Sequence, residues 1–289
     1  MKSAPLVSSM SDEDFAYVSG LVRREIGINL TPAKRMFLVG RLSRRMRQLG
    51  CDGPADYCRH LRAAGSSEHA ALFEALCTHE TRFFREPAQF GVLARSVPRW
   101  LSLRRQRALP DCIRVLSAGC ATGEEAYSIA MTLCDALADQ PPLSARVVGI
   151  DVSERALHVA RDAIYPLARS SDIPEPVLKR FMLKGTGPCQ GQMRVGPSVR
   201  ALVELRAGNL CRSRLEVDGR FDAIFCRNVL IYFDAETRTR VVRALLSRLT
   251  PDGLLIVGPA EAGPTLGAEV RVLGPGILAP ADPSTGARA

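Results

Sequence analysis

The sequence predicts an α/β protein: a doubly wound parallel sheet, preceded by a separate all-helical domain and interrupted by a small antiparallel β-segment. Three observations predict it. Apolar residues recur at helical spacing through the first stretch of chain, beginning with Phe15, Val18, Val22 and Ile26. From Cys112 onward, short β-rich runs alternate with helical stretches, as in strands joined by crossover helices. Between about 166 and 200 that alternation stops at Gly185-Thr186-Gly187-Pro188 and Gly191, with strand-like pieces at Gln192–Val195 and Val199–Leu205.

In chain order, Ser11 with Asp14 three residues on marks the first helix start, and Gly27 and Asn29 its end. Thr31-Pro32 opens a second helix, over 32–49, as a cap followed by proline in the first turn. Leu38, Leu42, Met46 and Leu49 form its apolar stripe, and Gly50 is placed to end it. Helical patterns follow over roughly 53–64 and 68–78, giving a helical domain over 1–90. The remainder, 91–289, holds strands at Cys112–Leu116, Arg146–Asp151, Leu202–Leu205, Phe221–Cys226 and Leu254–Val257. The antiparallel insertion is expected over about 167–205. The Gly-, Pro- and Ala-rich stretch from about Gly263 is expected to be a loose tail.

Composition excludes several classes. Of 289 residues, 46% are hydrophobic and 24% charged, which fits a globular chain with a real core. No apolar run approaches the roughly 18 residues of a membrane span, and the N-terminus lacks a secretory stretch, so a cytoplasmic protein is expected. Nine scattered cysteines form no C-x-x-C pair, which argues for free thiols and against a zinc knuckle. Residues 1–110 carry 18 Lys+Arg against 10 Asp+Glu, or +8, while the rest carries 21 against 20, or +1. On the second helix, Lys34, Arg41, Arg44 and Arg45 share one flank at 100° per residue. Such a face favours an acidic partner, nucleic acid or protein, and charge alone does not choose.

Four segments carry chemistry. The first, Leu116-Ser117-Ala118-Gly119-Cys120-Ala121-Thr122-Gly123-Glu124-Glu125, is a small-residue loop between a strand and a helix. A pyrophosphate loop would read G-x-G-x-x-G; here the spacing is G-x-x-x-G, followed at once by two carboxylates. That pair repels phosphate and suits a cation such as S-adenosylmethionine, which carries a sulfonium and an ammonium group. The second is Asp151, at the end of the next strand, where a carboxylate can accept from both ribose hydroxyls of an adenosine. The third runs from Phe221 to Phe233 and delivers Asn228 to the same sheet edge, with Tyr232 four residues on. The fourth is Thr78-His79-Glu80-Thr81-Arg82-Phe83-Phe84-Arg85-Glu86-Pro87; by composition alone it is a linker.

Together, in this order, these segments make the chain resemble the chemotaxis receptor methyltransferases, the CheR family, from about residue 11 to 262. The resemblance rests on T-H-E-T-R-F-F-R-E-P, S-A-G-C-A-T-G-E-E-A-Y-S-I-A, G-I-D-V-S, G-T-G-P-C-Q-G-Q-M-R-V and F-D-A-I-F-C-R-N-V-L-I-Y-F-D. It implies a Rossmann-like, S-adenosylmethionine-dependent methyltransferase sheet with a helical N-terminal domain and an inserted β-subdomain. It implies methyl esterification of glutamate side chains on a chemoreceptor or receptor-like protein, by a monomer without metal. His79, Thr81, Arg85, Gly119 and Glu124 are then expected at the cofactor, with Asp151 as the ribose ligand. Asn209-Leu210 and Asn228-Val229 resemble the adenine- and methionine-side contacts, and Arg85 and Tyr232 the residues that orient the glutamate. The resemblance also gives the basic flank a role in steering glutamate-rich helices, and the β-segment a role in binding a receptor tail peptide. Departures are His79 where the family has asparagine, Ala126 where proline is frequent, and Gly258-Pro259-Ala260-Glu261 in place of G-H-S-E.

Transfer to a carboxylate needs no general base, because glutamate, with a pKa of about 4.3, is already ionised at neutral pH. Catalysis then rests on bringing oxygen and methyl carbon into line at roughly 3–3.5 Å. Three rivals share parts of the pattern. A nucleic-acid methyltransferase would show N-P-P-Y or D-P-P-Y where Asn228-Val229-Leu230-Ile231 stands, or a Pro-Cys nucleophile better placed than Pro188-Cys189. A non-catalytic module of the same fold would bind the cofactor without transfer. A nicotinamide dehydrogenase lacks its third loop glycine here.

Overall fold

The computed structural model describes residues 10–108, 112–138, 144–212, 215–263 and 270–281. They form two compact units, which divide between Thr78 and His79 rather than near residue 90. No helix among the described residues is long and apolar enough to cross a membrane.

The first unit comprises α1 (Asp12–Ile26), a 3-10 turn (Pro32–Lys34), α2 (Arg35–Leu49), α3 (Pro54–Ala64) and α4 (Ser66–Leu76), and it also takes in Tyr232–Asp234. Ser11 Oγ accepts the Asp14 amide at 3.1 Å, so the first cap forms as its spacing predicts. Thr31 makes no side-chain cap, and the turn after it is 3-10 before α2 begins. The apolar stripes of all four helices converge on Val18, Val22, Leu38, Leu42, Tyr57, Leu61 and Leu72, each fully buried. Within this unit Ile28 bridges Phe233, and the Asn29 amide donates to the Tyr232 carbonyl at 2.8 Å.

One expectation about the basic flank is corrected here. Arg45 does not stand free beside Arg41 and Arg44. Its Nε donates to Glu68 Oε1 at 3.0 Å and its Nη2 to Oε2 at 2.6 Å, and Glu68 is only 2% exposed. A buried carboxylate must be paired, and Arg45 is the group that pairs it. Lys34, Arg41 and Arg44 remain on the exposed side.

The second unit opens with α5 (Pro87–Gln106). Then follow β1 (Cys112–Ala118), α6 (Glu124–Ala136), β2 (Ser144–Asp151), α7 (Glu154–Asp162), β3 (Ile164–Pro166), α8 (Glu175–Phe181) and β4 (Met182–Lys184). The chain continues through β5 (Gln192–Val195), α9 (Pro197–Arg200), β6 (Val203–Ala207), β7 (Phe221–Cys226), α10 (Ala235–Leu246), β8 (Leu249–Val257), β9 (Val270–Gly274) and β10 (Ile277–Pro280). Seven strands make one sheet in the order β6-β2-β1-β7-β8-β10-β9, parallel from β6 to β8. All six residues of β7 are buried, as a strand covered on both faces requires. The order runs outward from β1 in one direction through β2 and β6, then restarts on its other side at β7. The crevice beyond the carboxyl ends of β1 and β7 is therefore the topological switch point, where open α/β sheets bind ligands.

The insertion is a three-stranded antiparallel sheet, β3-β5-β4. Val199–Leu205, expected to belong to it, does not: α9 ends at Arg200, and β6 pairs with β2 in the large sheet, Val147 opposite Val203. The loose tail is also corrected. Beyond residues 264–269, which lie outside the described residues, β9 and β10 form a hairpin whose Leu278 pairs with Leu255 of β8. Val257 donates to the Gly276 carbonyl at 2.8 Å, so the hairpin is fastened to the sheet by backbone bonds.

Candidate active site

The loop after β1 is built by its glycines and by Asp151. Gly119 has φ +84, and a Cβ placed on it would lie 2.5 Å from Val229 Cγ2. An L-residue there would meet both the clash and a left-handed penalty of roughly 1–2 kcal/mol. Gly123, at φ +94, starts α6, and a Cβ there would lie 2.8 Å from that of Ala160. The Gly119 and Cys120 amides both donate to the Ile150 carbonyl. The Ala121 amide donates to Asp151 Oδ2 at 2.8 Å and the Ser153 amide to Oδ1 at 2.9 Å. Asp151 is 8% exposed, so its carboxylate both braces the loop and ends β2 at the crevice.

The expected linker is part of this unit. Phe83 is buried edge-on against Tyr165, with ring centroids 4.9 Å apart. The Phe84 amide donates to Ser128 Oγ at 3.0 Å, and that hydroxyl donates to the Glu124 carbonyl at 2.6 Å. Arg169, just after β3, donates to the Thr81 carbonyl at 2.7 Å. Arg85 thus projects from an anchored segment, between Phe84 at φ +48 and Glu86 at φ +58. Left-handed backbone at two non-glycine residues is the kind of strain that clusters at functional sites. His79 stands half-buried at the start of the same segment.

Glu124 is 3% exposed, and Thr122 Oγ1 donates to its Oε2 at 2.6 Å. Burial pushes its pKa up, against the pull of Thr122, its own backbone amide and Arg169. A cationic ligand in the crevice would stabilise its charged form. Glu125 accepts from Ser117 Oγ at 2.7 Å and lies 3.4 Å from Arg227 Nε. Burial again raises the carboxyl and lowers the guanidinium, offset in part by their mutual attraction, and Arg85 acts electrostatically on both.

On the far side of β2, the Gly208 amide donates to the Asp151 carbonyl at 2.9 Å, and Asn209 and Leu210 follow at the same edge. Asn209 Oδ1 accepts the Cys211 amide at 2.9 Å, and Leu210 is buried. On the β7 side, Asn228 takes φ +58, and Val229 meets Gly119. The switch point therefore brings together Gly119, Asp151, Asn228 and Val229, with Asn209-Leu210 beside Asp151 and Glu124 in the first turn of α6. Tyr232 groups with the helical unit instead.

The sequence reading missed Glu261. It is 2% exposed and accepts backbone amides from Asn228 at 2.7 Å, Gly258 at 2.8 Å and Ile231 at 3.1 Å. Its position in the altered four-residue motif was the available signal. Arg169 was missed too, because nothing in the sequence links it to Thr81.

The arrangement fits an adenosine sulfonium compound. Gly119 and Gly123 leave no room for a side chain beside Val229 and Ala160, and the carboxylates of Asp151 and Glu124 hydrogen-bond within the same loop. Comparison with known proteins agrees. Residues 13–77 match the family described as "CheR methyltransferase, all-alpha domain", and residues 79–273 match "CheR methyltransferase, SAM binding domain". The chain is 41% identical over 271 residues to chemotaxis protein methyltransferase 2 of Pseudomonas aeruginosa, covering 93% of each. It is 38% identical over 272 residues to the chemotaxis protein methyltransferase of Salmonella typhimurium, covering 94% of this chain and 91% of that one. With that of Escherichia coli it shares 37% over 257 residues, 88% of this chain and 85% of the other. By both of its matched domains and by these relatives, the chain belongs to the CheR family of S-adenosylmethionine-binding methyltransferases.

Proposed function

We propose that this enzyme esterifies glutamate side chains of chemoreceptor-type proteins, using S-adenosylmethionine as methyl donor. The observation that carries the reading is the acidic, glycine-lined crevice between β1 and β7, with Arg85 anchored on the same unit. The relatives' names, chemotaxis protein methyltransferases, supply the substrate class.

Asp151 holds the ribose, while Gly119, Glu124, Asn228 and Val229 line the methionine side; Asn209 and Leu210 flank the adenine, and His79, Thr81 and Arg85 close the cofactor from the linker segment. When bound, S-adenosylmethionine supplies a methyl carbon on cationic sulfur, so a carboxylate oxygen–carbon bond forms as the carbon–sulfur bond breaks and its electron pair stays on sulfur. Arg85 holds the glutamate carboxylate and orients it toward the cofactor. No proton needs to move, since the acceptor is ionised at neutral pH.

The test is transfer of labelled methyl to receptor cytoplasmic fragments. Base-labile label on glutamate is expected, and its loss in Arg85→Ala; label on another residue type, or full activity and unchanged cofactor affinity in that variant, would reject the reading. Cofactor binding without transfer to any receptor fragment would favour the non-catalytic alternative.

Docking draws on the exposed charges of Lys34, Arg41 and Arg44, which steer glutamate-rich helices to the site. The receptor-methylation rate is therefore expected to fall between about 0.1 and 1 M salt, as the Debye length shrinks from roughly 10 to 3 Å, while cofactor affinity holds. A salt-independent rate would remove the steering. A receptor tail peptide adds to the edge of the small β-sheet, where Leu183 on β4 is 55% exposed. Calorimetry showing no tail binding would count against that contact.

A further inference from the structure

Asn228 occupies a left-handed backbone conformation that a non-glycine residue holds only when its surroundings impose it. No helix or strand imposes it: β7 ends at Cys226, and the next element is a single 3-10 turn over Leu230–Tyr232. The amides of Asn228 and Ile231 are taken up instead by one carboxylate, that of Glu261, from a segment 33 and 30 residues further along the chain. Glu261 Oε2 is shared between the amides of Asn228 and Gly258, while Oε1 takes Ile231. The fit is close. A Cβ on Gly258 would lie 2.6 Å from Glu261 Oε2 and 3.4 Å from Asn228 Nδ2, so a side chain at 258 would push the carboxylate away. One residue earlier, the guanidinium of Arg227, 5.5 Å from the centre of the Phe90 ring, faces Glu125 across 3.4 Å. The strand end is thus held through a side chain at 227 and through the backbone at 228 and 231.

The geometry points to Glu261 as a positioning residue of the methyl-transfer reaction. It acts on no reacting atom. It fixes the Asn228–Ile231 turn, and through it the placement of Asn228 and the packing of Val229 against Gly119 at the cofactor crevice. A carboxylate suits this task because it is acceptor-only at both oxygens. An amide of the same shape would turn a donor toward at least one of the three backbone N–H groups. The inference rests on the reading of Asn228 and Val229 as cofactor-side contacts.

The test titrates S-adenosylhomocysteine into the full chain and three variants: Glu261→Gln, Asn228→Ala and the double variant. Glu261→Gln is expected to weaken binding about tenfold, the loss of one charge-assisted hydrogen bond. Because the clamp acts in part through residue 228, the double variant should be weakened by less than the product of the two single effects. In receptor assays Glu261→Gln should raise the cofactor KM and leave the receptor-fragment KM unchanged; a merely structural role would lower the active fraction, and so kcat alone. Weak binding by Asn228→Ala with normal binding by Glu261→Gln overturns the clamp alone, as does additivity. Normal binding by Asn228→Ala overturns the site reading beneath it. Should Glu261→Gln not fold, amide exchange in the unaltered protein decides: slow exchange at Asn228 and Ile231 without cofactor supports the clamp, and exchange at unprotected rates overturns it.

Discussion

Asp151→Asn is expected to weaken S-adenosylmethionine binding by about 100-fold, or about 2.7 kcal/mol. Both oxygens of this carboxylate already accept a backbone amide, from Ala121 and from Ser153. The ribose hydroxyls are proposed to donate to these same two oxygens, since a carboxylate oxygen can accept more than one hydrogen bond. Asparagine preserves the shape but turns one oxygen into a donor. Whichever way the amide rotates, an N–H is set against a buried backbone N–H, at a cost of about 1–3 kcal/mol, and one ribose bond is lost as well. Part of that cost appears in the free protein as a loosened Ala121 loop, so the loss of affinity is smaller than the simple sum. Titration with cofactor or product measures it directly. A loss below about threefold would mean that Asp151 only braces the loop.

Asp151 was also among the more legible residues, and the contrast with others shows what a sequence can carry. Short β-rich runs at 146–151 and 221–226, alternating with helical stretches, read as parallel strands, and the residues that end or follow such strands must lie at the carboxyl edge. Asp151 and Asn228 were found by that logic. The hairpin of β9 and β10 was not. Val272 and Leu273 are exposed, Pro280 and Gly276 interrupt the run, and the strand order depends on backbone pairing with β8 that no periodicity records. Arg45 failed for a related reason. Helical geometry gave its direction, but not that Glu68, 23 residues on, faces it from α4. Glu261 was visible as a letter in a departing motif; what it holds lies 33 residues away at Asn228. Local pattern gives elements and edges. Pairing across long stretches of chain has to be seen.

Removing Glu68 is expected to destabilise the helical unit by about 1–3 kcal/mol, the usual cost of leaving a buried hydrogen-bonding group unsatisfied. Glu68 is 2% exposed; besides its two bonds from Arg45, it accepts the hydroxyl of the fully buried Tyr57 at 3.0 Å. Glu68→Ala would leave that buried hydroxyl unsatisfied and Arg45 without its carboxylate partner. The pH dependence gives the sign. Burial alone raises the Glu68 pKa, but the bonds from Arg45 and Tyr57 outweigh it, and the folded-state value lies below the ordinary one. A carboxyl lowered on folding contributes stability that is complete above its unfolded pKa of about 4.3 and is lost as pH falls through the folded value. The gap between the unaltered protein and Glu68→Ala should therefore be full at pH 7 and narrow below about pH 4. Hydrogen exchange at α2 and α4 amides reads this in the helical unit alone, which whole-chain melting of a two-unit protein does not. A gap under about 1 kcal/mol, or one indifferent to pH, would show that the pair only balances its own desolvation. The outcome also bears on docking. As long as Glu68 holds Arg45, the proposed steering charge on this face rests on Lys34, Arg41 and Arg44; if that proposal holds, neutral Glu68→Gln releases a fourth cation and should steepen the salt dependence of receptor methylation.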